Sequence, residues 1–242
     1  MTSRELYQAG RLEEAVQALV VELRDNPADS RRRTFLFELL CFSGNYDRAE
    51  KQLNILSQEN KDAQMGALLY QAALHAERSR HDLFQKKDYP RSSESGAAVR
   101  GSCNGAPFEA IQDADPRLGA RLEVYAAGQY LWIPFEHIAS IEMQAPQRLR
   151  DLLWAPALVR TGPAFRGREM GEVLLPVLSP FSWQDPDEAV KLGRSTVWRQ
   201  TADGETLPFG QKTYLIDDHE VSILELRHLN IQQADSQDHA SA

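Results

Sequence analysis

Cysteine is scarce: Cys41 and Cys103 are the only two in 242 residues. Two thiols do not make the disulfide framework of a small secreted domain. Cys41 lies in an apolar helical run and Cys103 in a Gly/Ser-rich stretch, so a reducing, cytosolic compartment is expected. Long apolar runs are missing too. Proline or charge breaks each one well short of the ~18–20 residues that span a bilayer. The N-terminus, MTSRELYQAGRLEEAV, carries acids early and has no apolar stretch, so it does not read as a secretory signal. An excess of positive charge is also absent. Lys and Arg total 27 against 35 Asp and Glu, a formal net charge of −8. That argues against a general nucleic-acid binder, because phosphate binding needs clustered basic charge.

Motifs for catalysis are mostly absent. Gly193-Arg194-Ser195-Thr196 lacks the upstream glycine and the lysine of a phosphate-binding loop. No Gly-x-Ser-x-Gly elbow occurs. His75 and His81 are six residues apart, and neither cysteine has a near partner, so zinc spacing is missing. Two acidic clusters remain. Asp113-Ala114-Asp115-Pro116 offers oxygen ligands for a divalent metal, or a turn in which Asp side chains cap backbone N–H groups. Asp217-Asp218-His219-Glu220 reads as a solvated hairpin loop.

What is present is an ordinary globular composition, 42% hydrophobic and 26% charged, arranged in two grammars. From residue 2 to about 84 the period is helical. Leu12, Ala15, Val16, Leu19, Val20 and Leu23 share one face of an amphipathic helix. Asn26-Pro27 stops it, and a second apolar face begins at Phe35, Leu36, Leu39 and Leu40. Gly10 and Gly44 are 34 residues apart, as are Leu12 and Tyr46, Ala15 and Ala49, and Leu19 and Leu53. A 34-residue period of paired helices is the tetratricopeptide signature. A third copy would need its turn glycine at position 78, where Arg78 stands. About two and a half repeats are too few to complete a core by stacking, so the front should lean on the back or on a partner.

Residues 86–106 lose the period, and beyond Pro107 short strands follow. Candidates are 108–112, 121–125, 129–133, 137–143, 157–160, 172–177, 196–200, 212–216 and 221–229, with a hairpin turn at Ala127-Gly128 and a short helix at 187–192. The expected fold is α+β: tetratricopeptide-like helices over 1–88, a linker or flexible loop over 89–106, a mostly antiparallel β-rich domain over 107–232 as a small sheet or partly open barrel, and a disordered tail over 233–242. Residues 1–88 are nearly neutral at net −1, whereas 89–242 carry net −7. One basic island interrupts the acidic half: Arg148, Arg150, Arg160, Arg166 and Arg168. All four tryptophans lie in that half, and Trp154, flanked by Arg148 and Arg150, is the best candidate for an interface anchor.

Several unusual strings occur in order: QDADPRLG at 112–119, LEV at 122–124, GQYLWIPF at 128–135, RLRDLLW at 148–154, LLPVL at 174–178, LGRSTVW at 192–198 and GQK at 210–212. RTFLFELL at 33–40 and GNYDRA at 44–49 join them in the helical front. Over about residues 3–230 the chain resembles the ImpE family, also called SciE or TagJ, encoded with bacterial type VI secretion systems. The resemblance implies a cytoplasmic, non-enzymatic adaptor with no cofactor. It would bind a short N-terminal helix of the small subunit of the contractile sheath. It would thereby link the sheath to the AAA+ ATPase that disassembles it.

The repeat phase adds a surface to that expectation. The first helix of each pair should point Arg4, Tyr7, Arg31, Thr34, Glu38, Cys41, Met65, Leu68 and His75 into a concave groove that takes an amphipathic helix. A second possible docking face is Arg148, Arg150 and Trp154, with the repeats as support. The alternative from another class is a metal-dependent hydrolase using Asp113, Asp115 and His219.

Overall fold

A computed structural model describes residues 1–89, 99–163, 165 and 170–232. The rest of the expected linker, the arginines at 166 and 168, and the expected tail after 232 lie outside these residues. The front half is five helices: α1 (Ser3–Gln8), α2 (Leu12–Asp25), α3 (Ser30–Phe42), α4 (Tyr46–Leu56) and α5 (Lys61–Gln85). The two turn glycines end helices in the same way. Arg11 N donates to Leu6 O and Gly10 N to Tyr7 O, and Asn45 N donates to Leu40 O and Gly44 N to Cys41 O. This is the Schellman arrangement, which needs a left-handed residue just past the helix. Gly10 has φ of 79° and Gly44 of 69°. The repeat positions Leu12, Ala15, Leu19, Ala49 and Leu53 are all buried, as helices in close approach require.

Arg78 takes the place of a third turn glycine, and α5 runs through it for 25 residues. Its second half, where a third pair would have folded back, packs on the sheet instead, burying Ala73, Leu74, Ala76, Glu77, Arg80 and Phe84. The core of the helices is completed by Leu118, Tyr125, Tyr130, Leu153, Trp154 and Leu192 from the back half.

The back half holds β1 (Gly101–Cys103), β2 (Ala106–Phe108), β3 (Ile111–Asp113), β4 (Arg121–Ala126), β5 (Gln129–Pro134), β6 (Ile138–Met143), β7 (Trp154–Thr161), β8 (Gly171–Pro176), α6 (Glu188–Lys191), β9 (Thr196–Gln200), β10 (Thr206–Gly210), β11 (Thr213–Ile216), β12 (His219–Ser222) and β13 (His228–Ile231). Eight strands form an antiparallel sheet in the order β2-β1-β13-β6-β7-β8-β4-β5, with β10-β9 and β12-β11-β3 as smaller sheets. The large sheet has two ends and does not close into a barrel. Alternation along β4 divides its side chains between two cores. Leu122 and Val124 join the sheet's own core, and Tyr125 joins the helices. Among the described residues no helix is long and apolar enough to cross a membrane.

Three strand expectations need correction. Gly101–Cys103, expected as linker, is a strand paired with β13. The 108–112 run splits between β2 and β3, which sit in different sheets. The 221–229 run breaks after Ser222, whose hydroxyl accepts from Leu224 N at 3.2 Å and caps a 3-10 turn at Ile223–Glu225.

The back half also finishes the first helical turn. Arg11 provides no side-chain cap to α2. The Glu188 carboxylate accepts from Leu12 N at 3.1 Å and Glu13 N at 2.9 Å in its place. Arg194 donates to the carbonyls of Tyr7 at 2.6 Å and Gln8 at 3.0 Å, closing the end of α1. Its guanidinium lies 5.0 Å from the Tyr7 ring centroid.

Candidate functional site

The hollow of the repeats is divided. At its inner end the protein fills it. Trp154 stacks on Tyr70 at 6.2 Å between centroids and lies 6.3 Å from Phe37. Its Nε1 donates to Glu77 Oε2 at 2.9 Å. Trp154 is 2% exposed and Cys41 is 3% exposed, so both are corrected from partner contacts to core. The phase of a helix tells which way Cys41 points; it does not tell what already sits there.

At its outer end the hollow is open. Helices α1 and α3 and the segment 146–152 enclose a cleft of about 600 Å³. Arg4, Tyr7, Arg31, Thr34 and Glu38 line it, as the repeat phase placed them, and Arg148 and Arg150 join them from the sheet side. Residues from both of the groups read separately from the sequence thus line one cleft. Phe35, Pro146, Leu149 and Leu152 also line it and were not among the docking residues expected from the sequence. Phe35 carries the same helical period as the named residues; the contribution of 146–152 has no local signal. The Tyr7 ring meets Phe35 edge-on at 5.7 Å. Arg150 covers the Tyr70 ring at 4.7 Å.

Met65 and Leu68 are absent from the cleft lining and stand exposed on α5, at 68% and 54%. His75 is exposed on the same helix. A second hollow of about 520 Å³ lies between α5 and the sheet, with Leu69, Tyr70, Ala73, Pro156, Leu158 and Leu174 among its lining residues.

Glu38 is the buried acid of the cleft. Burial pushes its carboxyl up to about 7, against the pull of Arg150 and Arg148. A carboxyl raised on folding holds a proton that the unfolded chain has released. The folded state therefore binds more protons between about pH 4.5 and 7, and stability falls as pH rises through that window. Glu38→Gln, which never ionises, is expected to add about 1–3 kcal/mol at pH 8 and nothing at pH 4.5. Urea unfolding of both chains at the two pH values measures this. A gain equal at both pH values would sink the assignment.

Beneath α5 lies a buried ionic cluster. Arg80 Nε and Nη2 grip the two Glu123 oxygens at 2.7 and 2.8 Å. Lys212 Nζ reaches Glu123 at 2.6 Å and also pairs with Asp113. Tyr130 Oη donates to Glu123 at 2.6 Å, and Tyr125 Oη to Glu77 at 2.6 Å. Burial works to raise the Glu123 carboxyl, but Arg80 and Lys212 outweigh it and hold it well below the usual carboxylate range. Burial wins at Asp113, which is pushed up to about 7 against Lys212. Asp115 accepts from Arg117 Nε at 2.8 Å and Nη2 at 2.5 Å. The carboxylates that could have served a metal are thus engaged by cations of this chain. His219 is exposed at the start of β12, and no cluster of three or more metal-ligating side chains occurs among the described residues.

The geometry defines a class: a tetratricopeptide-like helical scaffold, completed by an antiparallel sheet, with an open cleft at the joint. A tetratricopeptide-repeat model matches residues 6–73, and the ImpE protein model matches residues 105–230, more than half the chain. The chain belongs to the ImpE family. It is 30% identical to the type VI secretion system accessory component TagJ of Pseudomonas aeruginosa, over 98% of this chain and 93% of that protein. The crystal structure of protein VPA1032 from Vibrio parahaemolyticus has the same fold, with a TM-score of 0.84 at 22% identity, covering 98% of this chain and 99% of that one.

Proposed function

We propose that this protein is a cytoplasmic, non-enzymatic adaptor of a bacterial type VI secretion system. It captures an N-terminal helical segment of the sheath small subunit in the cleft of α1, α3 and 146–152, and so links the sheath to its AAA+ disassembly ATPase. The likeness to the Pseudomonas aeruginosa accessory component supports the setting. The observation that carries the mode of action is the open part of the repeat hollow, where Tyr7, Phe35, Leu149 and Leu152 offer a partner an apolar floor. Grooves between helices take amphipathic helices through a few such anchors. The engaged carboxylates at Asp113 and Asp115 offer the hydrolase alternative no support.

Titration of the sheath small subunit's N-terminal segment into the full chain tests this. Tyr7→Ala should weaken binding about tenfold or more, as loss of an aromatic anchor does. Leu68→Asp, outside the cleft, should bind as the parent does. Equal affinity for the parent and Tyr7→Ala would remove the cleft from the account.

A further inference from the structure

The charge around the cleft runs against the charge of the protein. The chain as a whole is at −8, yet Arg4, Arg31, Arg148 and Arg150 converge on one opening. Arginines elsewhere on the surface are mostly spent on acids: Arg11 on Glu14, Arg32 on Asp29, Arg78 on Asp47 and Glu50, Arg199 on Asp185. Among the described residues, Arg4, Arg31 and Arg148 make no ion pair. Arg150 lies over Tyr70, and its buried Nε has no hydrogen-bond partner. The one acid lining the cleft, Glu38, is buried. Cations held around a concave, partly apolar site raise the local concentration of anionic groups and discriminate against cationic ones.

We infer that the cleft selects an acidic amphipathic polypeptide segment. Apolar side chains of that segment seat on Tyr7, Phe35, Leu149 and Leu152, and its carboxylates meet Arg4, Arg31 and Arg148. This rests on the proposed docking role and adds the chemistry of the partner. The shape disfavours a nucleic acid. The basic groups rim a single cleft with an apolar floor rather than running along a face, and the rest of the protein is acidic.

Two labelled helical peptides of about 18 residues, some five turns, provide the test by fluorescence anisotropy on the full chain. They share apolar anchors at i, i+3 and i+7 and differ only in carrying Glu or Lys beside them. The Glu peptide should bind at least about tenfold tighter than the Lys peptide at low salt, with the gap narrowing as ionic strength rises. Arg4→Glu/Arg31→Glu/Arg148→Glu, a variant of three surface side chains, should reverse the order. Equal affinities, no reversal, or no binding of either peptide would overturn the inference. So would a single-stranded DNA that competes as well as the Glu peptide. Binding of both peptides alike, lost in Tyr7→Ala, leaves the cleft as the docking site and ends the claim about charge. A sheath small subunit that fails to bind at all ends the docking role, while the peptide ranking still decides this one.

Discussion

Glu123→Ala is expected to cost about 3–5 kcal/mol, a large share of the ~5–15 kcal/mol that holds a typical domain folded. Glu123 is the hub at which Arg80, Lys212 and Tyr130 converge, and both cations are 1% exposed. Without it, two charges stay buried with too little to pair with. Desolvation of an unpaired ion, rather than the lost attraction, sets the size of the effect. The contrast is Glu14→Ala. Its partner Arg11 is solvated, with side chains 45% and 52% exposed, so the expected cost is under about 1 kcal/mol. Urea denaturation of the two variants compares them directly. A Glu123→Ala loss as small as that of Glu14→Ala would show that the cluster adds nothing to stability.

Gly44→Ala is the second large effect. Its φ of 69° costs any L side chain about 1–2 kcal/mol. The added Cβ would also lie 2.4 Å from Trp183 Cδ2 and 2.7 Å from Cε3. Forcing that contact adds about 1–3 kcal/mol of overpacking, for a total of about 2–5. Gly10 is the matched control at the equivalent repeat position. Its φ is 79°, but its Cβ would meet only Arg194 Nη1, at an ordinary 3.4 Å. Gly10→Ala therefore reports the backbone cost alone. The difference between their melting temperatures isolates the contact with Trp183, and Gly44→Ala/Trp183→Ala should recover most of it. Equal losses at Gly10 and Gly44 would mean that Trp183 moves aside without cost.

The same glycines make the helical half legible in the sequence. Gly10, Gly44 and the residues in step with them disclosed paired helices, because a left-handed turn and a close helix approach each demand a particular residue type. Their phase also aimed Arg4, Tyr7, Arg31, Thr34 and Glu38 at the cleft. Trp154 misled because a large aromatic between arginines looks the same whether it faces solvent or α5. The strand Thr206–Gly210 lies outside the expected runs; it holds Pro208, a residue that ladders tolerate only at an edge, here in a two-stranded ladder opposite Trp198. The ionic cluster was silent. Arg80 and Glu123 are 43 residues apart and Lys212 and Asp113 99 apart; Arg80, Glu123 and Lys212 look like ordinary surface charge in their own neighbourhoods, and Asp113 reads as a metal ligand or turn cap rather than as an ion-pair partner.

The clip made by Glu188 and Arg194 has a consequence for biosynthesis. The amides of Leu12 and Glu13 wait for a carboxylate encoded some 175 positions later. At ~5–20 residues per second, the ribosome delivers that carboxylate on the order of 10–35 s after the helix it caps. Until residue 188 is made and has folded back, the first turn of α2 has only water for its amides, so the leading helix can be completed only after most of the sheet's sequence exists.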